Sequence, residues 1–125
     1  MIFGIGTDIV EVARIEHSLT QFGDDFAKRI LAESELASYI DSKIKARFLA
    51  KRFAAKEAFS KALGTGLRPP ATFQNIAVSH DALGKPVLIL AGELQDFLQS
   101  KNIVHMHITI SDEKNLAAAF VILEM

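Results

Sequence analysis

Residues 44–63 contain neither glycine nor proline, and Gly64 follows them directly. A segment of this length, rich in alanine, lysine, leucine and phenylalanine and closed by glycine, reads as one long helix, Ile44 to Leu63. At 100° per residue, Phe48, Ala55, Phe59 and Leu63 fall on one arc, extended by Leu49 and Phe53. That arc is the expected core-facing side, and the rest of the chain must cover it. Glu57 and Lys61 lie on the opposite side, one turn apart, with Ala54 and Ala58 beside them. Arg52 and Lys56 fall near the phenylalanine arc. They could run along the core edge with their charged ends in water or point into a subunit interface, and the spacing does not choose between these.

The chain opens Met-Ile-Phe-Gly-Ile-Gly-Thr-Asp, which reads as a strand. Alternation puts Phe3, Ile5 and Thr7 on one face and Ile2, Gly4, Gly6 and Asp8 on the other. The second face is nearly bare up to its carboxylate. Glycines inside a strand weaken it and often mark the close approach of another group.

A first helix is expected from about Glu11 to Phe22, ending at Gly23. A short second one starts near Glu33 or Ser34 and ends near Ile40. The glycine- and proline-punctuated stretch from Gly64 to Pro70 is a loop. Phe73 to Ser79 and Pro86 to Leu90 read as strands around the turn Asp81-Ala-Leu-Gly-Lys. Glu93 to Ser100 is a short helix. Val104 to Ile110 and Leu116 to Leu123 are strands joined by Ser-Asp-Glu-Lys-Asn. There is no regular βαβ rhythm. The expected class is therefore α+β: one small domain over residues 1–125, with a mainly antiparallel sheet packed against one long and several short helices.

At 125 residues and 50% hydrophobic content, the chain can bury one real core. It has no cysteine, which excludes disulfides, thiolate metal sites and a catalytic thiol. No apolar run approaches the roughly 20 residues that span a bilayer, and the N-terminus lacks a basic region before an apolar stretch. The expectation is a cytoplasmic protein with no membrane partner. Net charge is -1, yet residues 41–61 hold seven basic residues against two acidic ones. A local basic stretch on a near-neutral chain points to a focused anion site rather than to nucleic acid.

Two carboxylates from different elements, Asp8 and Glu57, with basic residues nearby, suit a magnesium ion and a diphosphate. Magnesium takes one or two carboxylates, keeps several waters and binds phosphate oxygens. Lysine supplies a point charge to phosphate. The plainer alternative is a helix-stabilising Glu57–Lys61 pair and an Asp8 that ends a strand. Spacing alone does not bring Asp8 to Glu57.

The string Gly4-Ile-Gly-Thr-Asp-Ile-Val resembles the opening signature of the holo-acyl-carrier-protein synthase family. Arg52-Phe-Ala-Ala-Lys-Glu-Ala-Phe-Ser-Lys-Ala-Leu-Gly-Thr-Gly resembles its central signature, and Gly84-Lys-Pro follows at the expected distance. The segment from His107 to Glu124 is similar to the family's last hairpin. The resemblance covers the whole chain, and the central signature is the specific part.

The resemblance implies transfer of 4'-phosphopantetheine from coenzyme A to a serine of an apo-acyl-carrier protein. The serine hydroxyl attacks the β-phosphorus and 3',5'-ADP leaves. It further implies that Asp8 and Glu57 are magnesium ligands and that Lys61 lies near the transferred phosphate. Gly64, Thr65 and Gly66 would run beside coenzyme A, and Gly84, Lys85 and Pro86 would form a turn near its adenine end. Arg14 would contact the acidic carrier. The proton acceptor is either Glu57 or a magnesium-bound water. The family is a homotrimer with active sites between subunits.

One departure lies in the last hairpin. Many relatives carry a histidine flanked by hydroxyl residues, and here Ile110-Ser-Asp-Glu-Lys puts Asp112 at that place, where some relatives also have an acidic residue. His105, His107, Thr109 and Ser111 share one strand face. A His-x-His pair can bind zinc, but no third ligand is evident; a nucleotide or interface contact and plain packing are the other readings. Two further functions compete: a broader carrier-protein phosphopantetheinyl transferase, whose members are about twice this length, and a non-catalytic oligomeric binding module of the same fold. Asp8, Glu57 and Lys61 together argue against the second.

Overall fold

The computed structural model describes all residues from 1 to 125. Strand β1 (Ile2–Glu11) leads into helix α1 (Val12–Phe22), then α2 (Asp24–Ile30), a 3-10 turn at Glu33–Glu35, and α3 (Leu36–Asp41). The long helix α4 (Lys45–Leu63) follows. After a loop and a second 3-10 turn (Phe73–Asn75) come β2 (Ile76–His80), β3 (Pro86–Leu90), α5 (Gly92–Ser100), β4 (His105–Asp112) and β5 (Leu116–Glu124). One antiparallel sheet has the order β1-β5-β4, and β2 and β3 form a separate antiparallel hairpin. The expected α+β class with antiparallel pairing holds.

Helix α4 lies across the three-stranded sheet, and the opening glycines are the reason it lies so close. A Cβ built on Gly6 would overlap the carbonyl oxygen of Ala58, and one on Gly4 that of Ala62. Opposite them, Ala50, Ala54, Ala58 and Ala62 are all buried at four-residue spacing. Strand backbone therefore sits directly on helix backbone. We expect Gly6→Ala to destabilise the fold by roughly 3 kcal/mol, because a methyl pressed against backbone cannot be relieved by a rotamer change. Urea unfolding measures this; a loss below about 1 kcal/mol would contradict the packing.

The alanine stripe corrects the expected orientation of α4. Leu49, Ala55, Phe59 and Leu63 are buried as the phenylalanine arc predicts, but the alanine side is buried too. Small side chains carry little hydrophobic contrast, so periodicity points to the larger ones. Arg52 and Lys56 neither trail into water nor reach the surface. Both close on Glu35, which is 2% exposed, while Lys56 is fully buried. Lys56 Nζ donates to Glu35 Oε1 (2.5 Å), to the Ile30 carbonyl (2.6 Å) and to the Phe73 carbonyl (3.0 Å). All three ammonium hydrogens thus have acceptors. Arg52 Nε lies 2.9 Å from Glu35 Oε2, and its guanidinium sits over the Phe48 ring at 4.0 Å. Glu35 also accepts from the backbone N–H groups of Ala32 (2.8 Å) and Val78 (3.0 Å). One carboxylate ties the α3 region, β2 and α4 together.

Other boundaries differ from expectation for local reasons. Helix α1 begins at Val12 rather than Glu11, because β1 runs on until Glu11 pairs with Leu116. Helix α2 is absent from the sequence reading; it buries only Ala27 and Ile30, too few positions to show a period. Its signal lies in the charges, Asp24 and Asp25 in the first turn and Lys28 and Arg29 in the last. The strand expected from Phe73 starts at Ile76, since residues 73–75 coil into the 3-10 turn with the Thr72 hydroxyl accepting from the Asn75 N–H (3.3 Å). β4 continues to Asp112, which pairs with Ala117, so the closing turn is shorter than expected.

Candidate functional site

Asp8 projects from the sheet face that holds Gly4, Gly6 and Val10, the face turned to α4. The glycines before it let the strand descend onto the helix, so its carboxylate reaches side chains 49 and 53 residues away in sequence. Asp8 and Glu57 line one cavity of about 350 Å³, with Arg14 and Ser18 from α1, Phe26 from α2 and Phe53 from α4. The two carboxylates, strangers in the sequence, meet here.

Lys61 joins them from the next turn of α4. Its ammonium donates to Asp8 Oδ1 (3.1 Å) and to the Thr7 carbonyl (3.0 Å). The helix-local pair with Glu57, the plain reading of the four-residue spacing, is not the ion pair that forms. Glu57 is held above the usual carboxylate range, first by burial and then by the charge of Asp8, with Lys61 opposing. The two like charges share the cleft with Arg14, and Lys61 pairs with Asp8 alone, so Glu57 is left without an ion-pair partner. The donor set fits a hard divalent cation: two carboxylates and no nitrogen or sulfur ligand, with no group of three potential ligands elsewhere. The remaining positions would fall to water and to substrate oxygens.

The other expected site residues divide. Gly64 closes α4 in the left-handed region (φ 86°), its N–H donating to the Ser60 and Lys61 carbonyls (3.0 and 3.1 Å). Gly66 also takes a positive φ, 69°, and its carbonyl accepts from the Thr65 hydroxyl at 2.8 Å. This loop therefore leaves from the helix end that carries Lys61. Lys85 and Pro86 line a different cavity, about 360 Å³, with His105 and His107. Gly84 supplies the positive φ (85°) of their turn, which Asp81 braces by accepting from the Leu83 and Lys85 N–H groups (both 2.9 Å). Within one chain, Asp8, Arg14 and Glu57 share a cleft, and Lys85 and Pro86 do not line it.

The last hairpin holds two surprises. Asp112, at the departure from the resembled pattern, faces Arg47 and Lys51 of α4, each at 3.9 Å. His107 Nε2 lies 2.5 Å from Glu124 Oε1 and pulls that carboxyl below its usual range. No third ligand joins the histidines. Sequence reasoning missed Ser18 and Phe26, which share the cleft of Asp8, and Glu35, which anchors α4 behind it. Glu35 stands in a run of ordinary polar residues, and nothing in the local pattern marks it.

Comparison with known proteins gives one consistent picture. The 4'-phosphopantetheinyl transferase superfamily profile matches residues 4–121. A holo-[acyl-carrier-protein] synthase of Nitrosomonas eutropha is 56% identical over 124 residues, covering 99% of both chains. The crystal structure of holo-[acyl-carrier-protein] synthase from Neisseria meningitidis superposes with a TM-score of 0.97 at 46% identity, covering all of both chains. That of the Bacillus anthracis holo-(acyl-carrier-protein) synthase in complex with CoA (3',5'-ADP) gives 0.81 at 42% identity, covering 98% of this chain and 96% of that one.

Proposed function

Because the chain belongs to the 4'-phosphopantetheinyl transferase superfamily, we propose that it moves 4'-phosphopantetheine from coenzyme A to a serine of an apo-acyl-carrier protein. Residues 1–125 form one transferase domain. The observation that carries this reading is the cleft in which Asp8, Glu57 and Arg14 meet beside Lys61.

Asp8 and Glu57 are the residues that would hold magnesium. When bound, the ion would supply positive charge against a diphosphate whose charge builds as 3',5'-ADP leaves. Lys61, half-exposed at the same carboxylate, contributes an ammonium for the departing phosphate. Glu57 or a magnesium-bound water would accept the serine proton. Gly64, Thr65 and Gly66, in the loop that leaves the Lys61 end of α4, run beside coenzyme A. Most of the rate gain comes from positioning and charge.

Gly84, Lys85 and Pro86 bind the adenine end of coenzyme A from a neighbouring subunit. Two observations support this assembly. In one chain that turn opens on a cavity other than the Asp8 cleft. The outer sheet face also exposes Ile5 (58%) and Ile9 (67%) beside Phe120, an apolar surface that a partner would cover. The assembly is a homotrimer, and light scattering tests it. A cytoplasmic location goes with these substrates and is part of the proposal; no helix is long and apolar enough to cross a membrane.

The test is direct. The protein is incubated with coenzyme A, magnesium and a panel of apo carriers, and the added prosthetic arm is read by mass. Modification of the fatty-acid carrier supports the reading; no modification of any carrier defeats it. Arg14 lies at the cleft mouth on α1, so Arg14→Glu should raise the KM for an acidic carrier roughly tenfold or more, with much less change in KM for coenzyme A. Equal losses in both would mean that Arg14 is not a carrier contact. Carrier capture should also weaken with salt.

A further inference from the structure

Lys61 has two possible uses for its charge, and the fold gives it to Asp8 rather than to Glu57. The contact differs from the buried triad around Glu35. The Lys61 side chain is 52% exposed, whereas that of Asp8 is 17% exposed. A half-exposed lysine can swing away without opening the core. A largely shielded carboxylate deprived of its ammonium needs another positive partner. A second donor contact, to the Thr7 carbonyl at 3.0 Å, fixes the ammonium against the strand at that spot.

From this geometry we infer that Lys61 is the resident counter-ion of Asp8 and competes with the divalent cation for that carboxylate. The inference rests on the magnesium reading of Asp8 and Glu57. Ammonium and cation are both positive, so holding both on one carboxylate costs repulsion at short range. A bound diphosphate offers Lys61 a new partner with stronger negative charge. Arrival of coenzyme A therefore draws the lysine off Asp8 and frees the carboxylate for the metal. By linkage, the metal must favour coenzyme A by the same factor. One side chain then couples the two loading steps, and the cleft holds its cation weakly until substrate is present.

The experiment measures Mn2+ affinity by the loss of its free electron-spin-resonance signal, with and without coenzyme A, in the full-length protein. Lys61→Met should bind Mn2+ roughly two- to fivefold more tightly than the unchanged protein when coenzyme A is absent, the scale of an exposed ion pair. The tightening produced by coenzyme A should shrink in Lys61→Met by a similar factor, and Lys61→Arg should behave like lysine. Equal or weaker Mn2+ binding by Lys61→Met without coenzyme A overturns the inference. Asp8→Asn separates the two levels. If it abolishes Mn2+ binding while Lys61→Met changes nothing, the metal site stands and the competition falls. If Asp8→Asn leaves Mn2+ binding intact, the metal reading falls and the inference with it.

Discussion

Asp8→Ala or Glu57→Ala should abolish magnesium-dependent transfer, lowering kcat by on the order of a thousandfold, while far-ultraviolet circular dichroism stays unchanged. The effect is large because the cleft presents only these two carboxylates. With one removed, a hard divalent cation bound there would keep a single protein ligand and would lose its fixed position relative to a diphosphate. The fold should tolerate the change. Asp8 pairs with a half-exposed lysine, and Glu57 is already strained by burial and by its neighbour's charge. Removing Glu57 thus deletes an unfavourable charge in the metal-free protein. That charge has a pH consequence. A raised carboxyl keeps its proton to higher pH, so a cation must displace that proton, and metal affinity should fall as pH drops through the raised value. In metal-free Asp8→Asn the Glu57 carboxyl should titrate at lower pH than in the unchanged protein, read by NMR, because the Asp8 charge contributes to the elevation. Near-normal turnover in either alanine variant would refute the assignment.

Glu35→Ala should lower stability by about 3–5 kcal/mol and the Tm by roughly 10 °C or more, the largest stability effect expected in this chain. It strands two cations. Lys56 would keep two carbonyl partners, and Arg52 would keep the Val78 carbonyl at 3.3 Å, but both would lose their only anion. The buried Ala32 and Val78 N–H groups would lose an acceptor as well. Burial already pushes the Lys56 ammonium down to about 8, against the pull of Glu35. Without Glu35 it should fall further. Between that value and the ordinary 10.5 of an unfolded lysine, the unfolded chain binds the extra proton. Stability therefore rises with pH across that window, and the variant should recover part of its loss between neutral pH and about pH 9.5. Adding Lys56→Met should recover more at neutral pH, since the stranded charge is gone. Thermal unfolding of the single and double variants at several pH values checks this. A Glu35→Ala loss under about 1 kcal/mol would show the triad to be dispensable.

Much of the site is legible in the order of the amino acids. Asp8, Glu57 and Lys61 stand out because carboxylates and a lysine lie inside two recognisable signatures. The long helix is legible because nothing breaks it ahead of Gly64. The bare face of β1 is legible as alternation, and it is the surface on which α4 rests. Helix α2 is not legible, since two buried positions in seven make no period. Asp112 is marked only as a departure; its contact with Arg47 and Lys51 depends on β4 running two residues past the expected end.

Sequence by itself determined which side chains are available for chemistry and, for Asp8, Glu57 and Lys61, on which element each one rides, because helix and strand periods follow from local backbone geometry. Only the tertiary structure decided the partners. It gave Lys61 to Asp8 instead of Glu57, and it buried Arg52 and Lys56 against Glu35. Such pairings join residues 17 to 53 positions apart and depend on how closely two backbones approach. That distance is set by the absent side chains of Gly4 and Gly6 and the small ones of the alanine stripe, whose contribution emerges only when strand and helix are packed together.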